Sequence, residues 1–559
     1  MRKFLIISLS IAICSCSSLE QERIARHFNG THVHPDSLMN NITTAWDVWE
    51  NVPWSERYSK EIFINFIIPP RIADEPTEYY WRTDIPQKLD FSYGDEEMSI
   101  LAQRINSEIS VDTKSEEWGN SQMGYTATMA GNFGKCDDRA ILATMAMRSY
   151  GIPSAFDFTP MWGSGNNGHS FCSVLTTDGK TLVFQDRKDN GNEHRFSHKV
   201  AKIYRKTFFE NTETLVFQNR ENESIPFPFS DHRIKDVTHE HQIGFEDIQI
   251  AIDTTTNHSI GYLGVFHPGG WFPIAFGEIN GKILSFHSIG NGLDNKGKIA
   301  LKGDNIGKGI LYLPFIYHDK IIPCGNPFIL SDSGTRQLIP SEETERVLLL
   351  RKYPRLLRIA RFAGYMTGGI LEGANHEDFS DAIQIHRIYN MPLSHMQEIN
   401  AKGYPPLRYI RFRQPSGTFS IATLKAFDDF GREIKGTPIT SESLNSADGL
   451  EFIYDDDPLT YFELSPVLNV WTGLDFDTPR RIASIGFCPR NDDNDIVPED
   501  LYELFYWDNG WESLGKKRAK GYNIEFDNVP KGALLWLRDI TKGKEERPFT
   551  YENGKQIWW

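Results

Sequence analysis

The sequence predicts a multi-domain chain, an α+β domain followed by all-β sandwich domains, and three observations carry that reading. The chain has 559 residues, room for three or so domains of ordinary size. Helical periodicity is concentrated before Asp186. Beyond it, short β-type runs alternate with Gly, Asn and Asp turns. The boundaries that follow are a leader at 1–15, the α+β domain at 16–235, a β-sandwich at 236–345, a helical linker at 346–371 and a last β-sandwich at 372–559.

The leader comes first. Arg2 and Lys3 precede an apolar run over 4–14, which is too short to span a bilayer and fits the h-region of a signal peptide. Ile13-Cys14-Ser15-Cys16 resembles a bacterial lipobox, with small Ser15 before Cys16. That resemblance implies lipid attachment at Cys16. Cys14 is the rival, but it would place Ile13 at the cleavage position. No later stretch has the roughly eighteen consecutive apolar residues of a membrane helix, so the expectation is a body tethered to the cell envelope by lipid. The acidic residues of 17–22 resemble the leaders of surface-exposed Bacteroidetes lipoproteins, which implies the outer membrane.

The α+β domain carries the chemistry. Cys136 opens a helix whose face is Ala140, Ile141, Ala143, Thr144, Met145, Met147 and Tyr150, and Gly151 with Pro153 stops it. Asp137 and Asp138 stand in its first turn, where carboxylates suit the dipole. His169 opens one strand; Asp186 closes the next, after a turn at 176–179. A four-residue loop there would pair Leu175 with Lys180 and set His169 opposite Asp186. A thiol attacks as thiolate, a helix N-terminus and an imidazole both lower its pKa, and a carboxylate fixes the imidazole's tautomer. Taken singly, a cysteine is a small buried hydrophobe, a strand-start histidine a polar cap and a strand-end aspartate a turn residue. In this order they favour catalysis, with Cys136 as nucleophile, His169 as base and Asp186 as its orienter.

Gly134-x-Cys136-x-Asp138, Arg148-x-x-Gly151-Ile152-Pro153, Gly168-His169-Ser170 and Asp186 resemble the transglutaminase-like (papain-fold) superfamily of cysteine enzymes. Upstream, Phe66-x-x-Pro69-Pro70-Arg71-x-x-x-Glu75 and Trp81-Arg82 look like the helical lead-in of its bacterial members. The resemblance covers residues 40–200 and implies a Cys136, His169, Asp186 triad. It also implies an oxyanion donor before the cysteine, for which Gln122 is the first candidate and Trp118 the second. The reaction implied is hydrolysis of an amide in a peptide or glycopeptide. Amine transfer and glycan-releasing amidase chemistry occur in the same superfamily.

The remaining composition narrows the partners. A net charge of −16 with no basic tract argues against nucleic acid. Four cysteines beyond the leader, Cys136, Cys172, Cys324 and Cys488, are far apart and show no disulfide framework. Strands are expected at 260–266, 271–277, 282–287, 309–317 and 320–323, with a turn at His318-Asp319. His239-Glu240-His241 reads as exposed polar residues rather than metal ligands, as do His32 and His34. Residues 345–371 read as a helix with Arg351, Arg355, Arg358 and Arg361 on its polar side.

The last block resembles a discoidin (coagulation factor 5/8 type C) jelly roll. The likeness lies in Tyr409-Ile410-Arg411-Phe412, Asp455-x-Asp457-x-x-Thr460-x-Phe462 and Trp471-Thr472-Gly473. In that family the Asp-x-Asp-x-x-Thr loop sometimes surrounds calcium, so Asp455, Asp457 and Thr460 form a candidate ligand or calcium loop. The resemblance, with an aromatic content of 13%, implies glycan binding; a spacer role is the plain alternative. No other cofactor is expected.

Overall fold

The computed structural model describes residues 35–91, 97–109, 111–113, 122–131, 133–191, 195–218, 223–252, 256–299, 301–444, 447–542 and 545–559. Cys14, Cys16, His32, His34 and Trp118 lie outside them. The chain divides into two compact units, 1–300 with 308–338 and 301–307 with 339–559.

In the first unit, helices α1 (Pro35–Asn51), α2 (Lys60–Phe66), α3 (Trp81–Leu89), α4 (Met98–Glu108) and α5 (Tyr125–Gly131) lead to α6 (Cys136–Ser149). Short strands β1 (Asp112–Thr113) and β2 (Phe133–Gly134) pair just before it. Every residue of α6 from Asp138 to Ser149 is buried. Its small Ala140, Ala143 and Ala146 let neighbours approach closely. Trp81, Ile85, Leu101 and Ile105 pack with its Ile141, Met145 and Met147, as do Phe156, Val174 and Phe184 of the sheet. Gly151, at φ +68, ends the helix; a Cβ there would lie 3.0 Å from Val52.

Burial on all sides makes an unpaired polar group costly, and the helix and its lead-in satisfy most of theirs, though Arg71 Nε and Nη1 and Arg139 Nη1 have no hydrogen-bond partner. Arg148 donates Nε and Nη2 to Ser154 O at 3.0 and 2.8 Å. Arg82 donates to the carbonyls of Ile67, Ile68 and Pro69 and to Asn41 Oδ1, and burial pushes its guanidinium pKa well down. Glu75 accepts the N–H groups of Ile72 and Ala73, while Trp81 Nε1 donates to Pro70 O at 3.0 Å. The lead-in motif is therefore a clasp around α6.

Strands β3 (Ser154–Thr159), β4 (His169–Leu175), β5 (Thr181–Phe184), β6 (Tyr204–Lys206) and β7 (Ile234–Asp236) form an antiparallel sheet in the order β5-β4-β3-β6-β7. Buried Asp157 at its centre takes Arg205 bidentately at 2.7 and 2.8 Å and His241 Nε2 at 3.0 Å. His241 is thus a core residue, not the exposed one expected, because the carboxylate and Thr181 Oγ1 satisfy both its nitrogens.

The same unit carries β8 (Ile243–Ala251), β9 (Ile260–His267), β10 (Gly270–Asn280), β11 (Ile283–Asp294), β12 (Ile310–Tyr317), β13 (Ile321–Pro323), β14 (Phe328–Ser331) and β15 (Gly334–Gln337). They make one continuous sheet, β15-β14-β12-β9-β10-β11-β8, with β13 on β12. Two separate sheets were expected; a single hydrogen-bonded path is found, with irregularities in β10 and β11 of the kind that bend a sheet.

The first elements of the 339–559 part of the second unit are β16 (Thr344–Leu349) and α7 (Leu357–Gly364). The linker expected to be one helix is mostly not helical. Val347 and Leu349 alternate inward on β16, Pro354 interrupts the segment, and Arg351 is buried between Asp492 and Asp495 at 2.7 and 2.6 Å. Then come β17 (Ile370–Ala374), β18 (Ile383–Arg387), β19 (Gln397–Asn400), β20 (Leu407–Ile421), β21 (Thr423–Phe427), β22 (Thr437–Thr440), β23 (Phe462–Arg480) and β24 (Ser484–Cys488). A five-stranded sheet, β18-β17-β20-β23-β22, and a three-stranded one, β19-β24-β21, enclose one core. Strands β25 (Leu501–Trp507), β26 (Trp511–Arg518), β27 (Ile524–Pro530), β28 (Leu535–Asp539), β29 (Phe549–Glu552) and β30 (Lys555–Trp558) build a second core with β16. The block read as one sandwich therefore holds two cores.

Asp157 supplies a test. Burial raises its carboxyl pKa, but the Arg205 guanidinium outweighs this and holds it below the usual range, so its contribution to stability is complete above the unfolded value of about 3.9 and is lost as pH falls below it. Asp157→Asn should cost about 3–5 kcal/mol at pH 7 and should flatten the acid limb of a pH series of thermal melts.

Candidate functional site

Cys136 occupies the first turn of α6 and is half-buried. Asp138 sets that turn in place: its carboxylate accepts the Lys135 N–H at 2.7 Å and the Met123 N–H at 2.7 Å. Gly134 must be glycine here, since a Cβ would come within 2.8 Å of Asp138 Cβ. The Ser170 backbone N–H favours the thiolate and pulls the thiol pKa down. The thiol donates to Asp137 Oδ1 at 3.7 Å, rather than to the imidazole. The expectation of a lowered pKa is overturned. Burial, and then the Asp137 carboxylate, push the thiol up to about 11 against the opposing Ser170 amide.

His169 begins β4, one residue before that amide. Its Nε2 lies 2.7 Å from Gln185 Oε1. An amide oxygen only accepts, so Nε2 is the donor in this contact. Trp162 stacks on the ring at 5.4 Å and 23°, with His198 against Trp162 at 5.5 Å.

Asp186, read from the sequence as the orienter, is placed elsewhere. Its carboxylate accepts the Lys188 N–H at 3.2 Å. The cause is the hairpin. Leu175 pairs with Thr181, not Lys180, because the loop has one residue more than expected and closes through Thr176 N to Lys180 O at 3.0 Å. A one-residue slip exchanges the faces of a strand. Continuing the observed register sets Gln185 opposite Phe171, on the face that carries His169.

The end of β5 is held firmly. Asp189 Oδ2 accepts the N–H groups of Gln185 and Asp186, each at 2.8 Å. Asn106 Nδ2 donates to Asp186 O at 2.7 Å, and Arg139 of α6 donates to Asn106 Oδ1 at 2.9 Å. The helix bearing Cys136 and the loop bearing Gln185 are thereby joined through one buried amide. Nothing in the sequence marked Gln185, Asn106, Asp189 or Trp162; only the loop length could have pointed to Gln185.

Gln122 does come to the site. Its Oε1 accepts the Asp74 N–H at 2.8 Å, and its Nε2 donates to Asp137 Oδ2 at 3.3 Å. The donor that an oxyanion would need is thus engaged by the carboxylate beside the thiol.

In the second unit, Thr460 Oγ1 donates within the predicted loop to Asp455 and to Asp457 O at 2.9 Å each. Asp455 Oδ1 also accepts the Asp457 N–H at 2.9 Å, and Lys425 and Lys435 hold Asp456. These contacts close the loop on itself. Among the described residues no group of three His, Cys, Asp or Glu side chains is arranged to hold a metal.

No family model and no curated protein matches the chain. Among solved structures, Legionella pneumophila LapG is similar at 12% identity over 26% of this chain and 74% of that one, with a TM-score of 0.17. An EGTA-treated form gives 13%, 31% and 88%, with a TM-score of 0.19. Red sea bream transglutaminase gives 9% over 89% of this chain and 70% of its own, with a TM-score of 0.11. Scores at this level carry no argument about fold or function, and the geometry above stands alone.

Alkylation tests the electrostatics. Iodoacetamide labelling of Cys136 should be slow at pH 7 and rise towards an inflection near 11. Asp137→Asn removes the negative charge that disfavours thiolate, so the inflection should move down and labelling at pH 8 should quicken.

Proposed function

We propose that the first unit is a cysteine hydrolase that cleaves an amide in a peptide or glycopeptide through a thioester on Cys136. One observation carries this reading. A single strand end supplies both the His169 ring, held by Gln185 and Trp162, and the Ser170 amide, which favours the thiolate of Cys136. In the reaction the thiol turns from Asp137 to His169 Nδ1, which takes its proton as sulfur attacks the amide carbonyl. The Cys136 backbone N–H, with Gln122 Nε2 once it leaves Asp137, faces the developing oxyanion. His169 passes the proton to the departing amine. Water, deprotonated by the same ring, then releases the acid and restores the thiol. An amine in place of water would give a transferase.

A second reading, a glycan- or protein-binding lipoprotein with an enzyme-like scaffold, draws on the thiol pKa near 11, which leaves little thiolate at neutral pH. In either reading Cys16 anchors the chain by lipid to the outer membrane, and the second unit binds glycan.

Mass spectrometry of a peptide and glycopeptide library separates the readings, since cleavage, deamidation and amine incorporation give different products. Cys136→Ala should abolish turnover, and His169→Ala should lower it by about 10³-fold or more. Gln185→Ala should cost about 100-fold by freeing the ring, and adding it to His169→Ala should cost little more. Asp186→Ala should stay near wild type; the reverse order of these two losses would restore Asp186 as the orienter. Full turnover by Cys136→Ala would leave the scaffold reading in place.

Anchoring has its own test. Cys16→Ser should move the protein from the membrane to the soluble periplasmic fraction and abolish incorporation of labelled palmitate.

A further inference from the structure

We propose that the outer face of the five-stranded sheet in the second unit is a binding site for an acidic oligosaccharide, one whose sugars carry carboxylates. This rests on the glycan reading of that unit and gives it a place and a ligand class.

The register assembles the face. Ile370 pairs with Arg387 on one side and Arg413 on the other, and Arg413 pairs with Trp471. Residues directly opposite across a sheet share a face, so Arg387, Arg413 and Trp471 form a row across β18, β17, β20 and β23. Two residues along, Glu372 pairs with Arg411. The opposite face of these strands, with Leu371, Ile410 and Phe412, is core.

Glu372 is shared by two of the three guanidinium groups: Arg411 Nε donates at 2.7 Å and Arg413 Nη2 at 2.6 Å. Arg413 Nη1 also donates to Asn469 Oδ1 at 3.0 Å. Arg387 Nε is buried with no hydrogen-bond partner. The neighbouring Asp475 is already taken bidentately by Arg408 at 2.9 Å. The acidic turn with Glu377, Asp378 and Asp381 follows β17 beyond Ala374 and lies towards the Tyr409 end, where Glu377 acts on the Tyr409 hydroxyl. At the Ile370 end, the Arg387 and Arg413 guanidinium groups therefore face the one shared Glu372 carboxylate.

The aromatic part selects a sugar over other anions. Trp471 and Phe379 pack at 5.2 Å, and Arg411 lies 3.9 Å from the Phe379 ring centre and 5.2 Å from that of Trp471. Trp471 remains partly exposed beside Arg413. A flat apolar ring next to a planar fork fits a pyranose face with a carboxylate at its edge.

Calorimetry on the full chain tests this with four probes: tetragalacturonate, its methyl ester, maltotetraose and a tetraglutamate peptide. Tetragalacturonate should bind, and weaken with salt, while the other three bind at least about tenfold more weakly. Arg387→Gln, which leaves the Glu372 pairs intact, and Trp471→Phe should each lower tetragalacturonate affinity about tenfold with unchanged melting temperature. Binding of the methyl ester or maltotetraose as tight as that of the acid would overturn the site while leaving a glycan-binding unit. Equal binding of tetraglutamate, unchanged affinity in both variants, or no binding by any probe would also overturn it, the last removing the glycan reading too.

Discussion

The first unit depends on one constraint, the burial of α6 on every side. A helix buried from Asp138 to Ser149 has no solvated face for its charges, so Arg139 and Arg148 must find acceptors in neighbouring segments. Asn106 and the Ser154 carbonyl provide them. The clasp of Arg82, Glu75 and Trp81 closes the outside. The N-terminal turn is the part of the helix left half-buried, and Cys136 stands there. Placement of the thiol is thus a consequence of packing the rest of the helix.

That placement decides the electrostatics. A helix N-terminus favours thiolate, yet here desolvation and the adjacent Asp137 outweigh it, and the thiol rests neutral. The Nε2 of His169 meets an amide oxygen. An amide oxygen holds the ring's orientation without adding negative charge. Gln122 Nε2 and the Cys136 thiol both donate to the Asp137 carboxylate, so the three side chains are coupled.

The second unit solves its polar burial differently. Arg351 with Asp492 and Asp495, and Glu372 with Arg411 and Arg413, are ion pairs at strand positions rather than around a helix. Arg351 pairs with acids far along the chain, which fixes the second unit's N-terminal strand against its later loops. Such pairs give a unique register where β alternation alone allows slips.

Much of the site was legible in local sequence. The extent of α6, its Gly151 stop, strand β4 from His169 and the turn at Asp319 all follow from short-range patterns, because capping, glycine conformation and alternation act over a few residues. The strands β9 to β13 were legible for the same reason. The partner of His169 was not. It hung on whether the loop before β5 held four residues or five, a difference set by the hydrogen bonds of Thr176 with Lys180, and one residue exchanges Asp186 for Gln185. The thiol's pKa was also beyond the sequence, since desolvation exists only once the sheet covers the helix. His241 and Arg351 were misread for a related cause: a polar residue looks exposed until distant carboxylates, Asp157 and Asp492, are folded against it. Sequence alone therefore determined the local elements and the cysteine and histidine they carry. Tertiary structure decided register, burial and charge pairing, because each depends on residues that meet only in the folded chain.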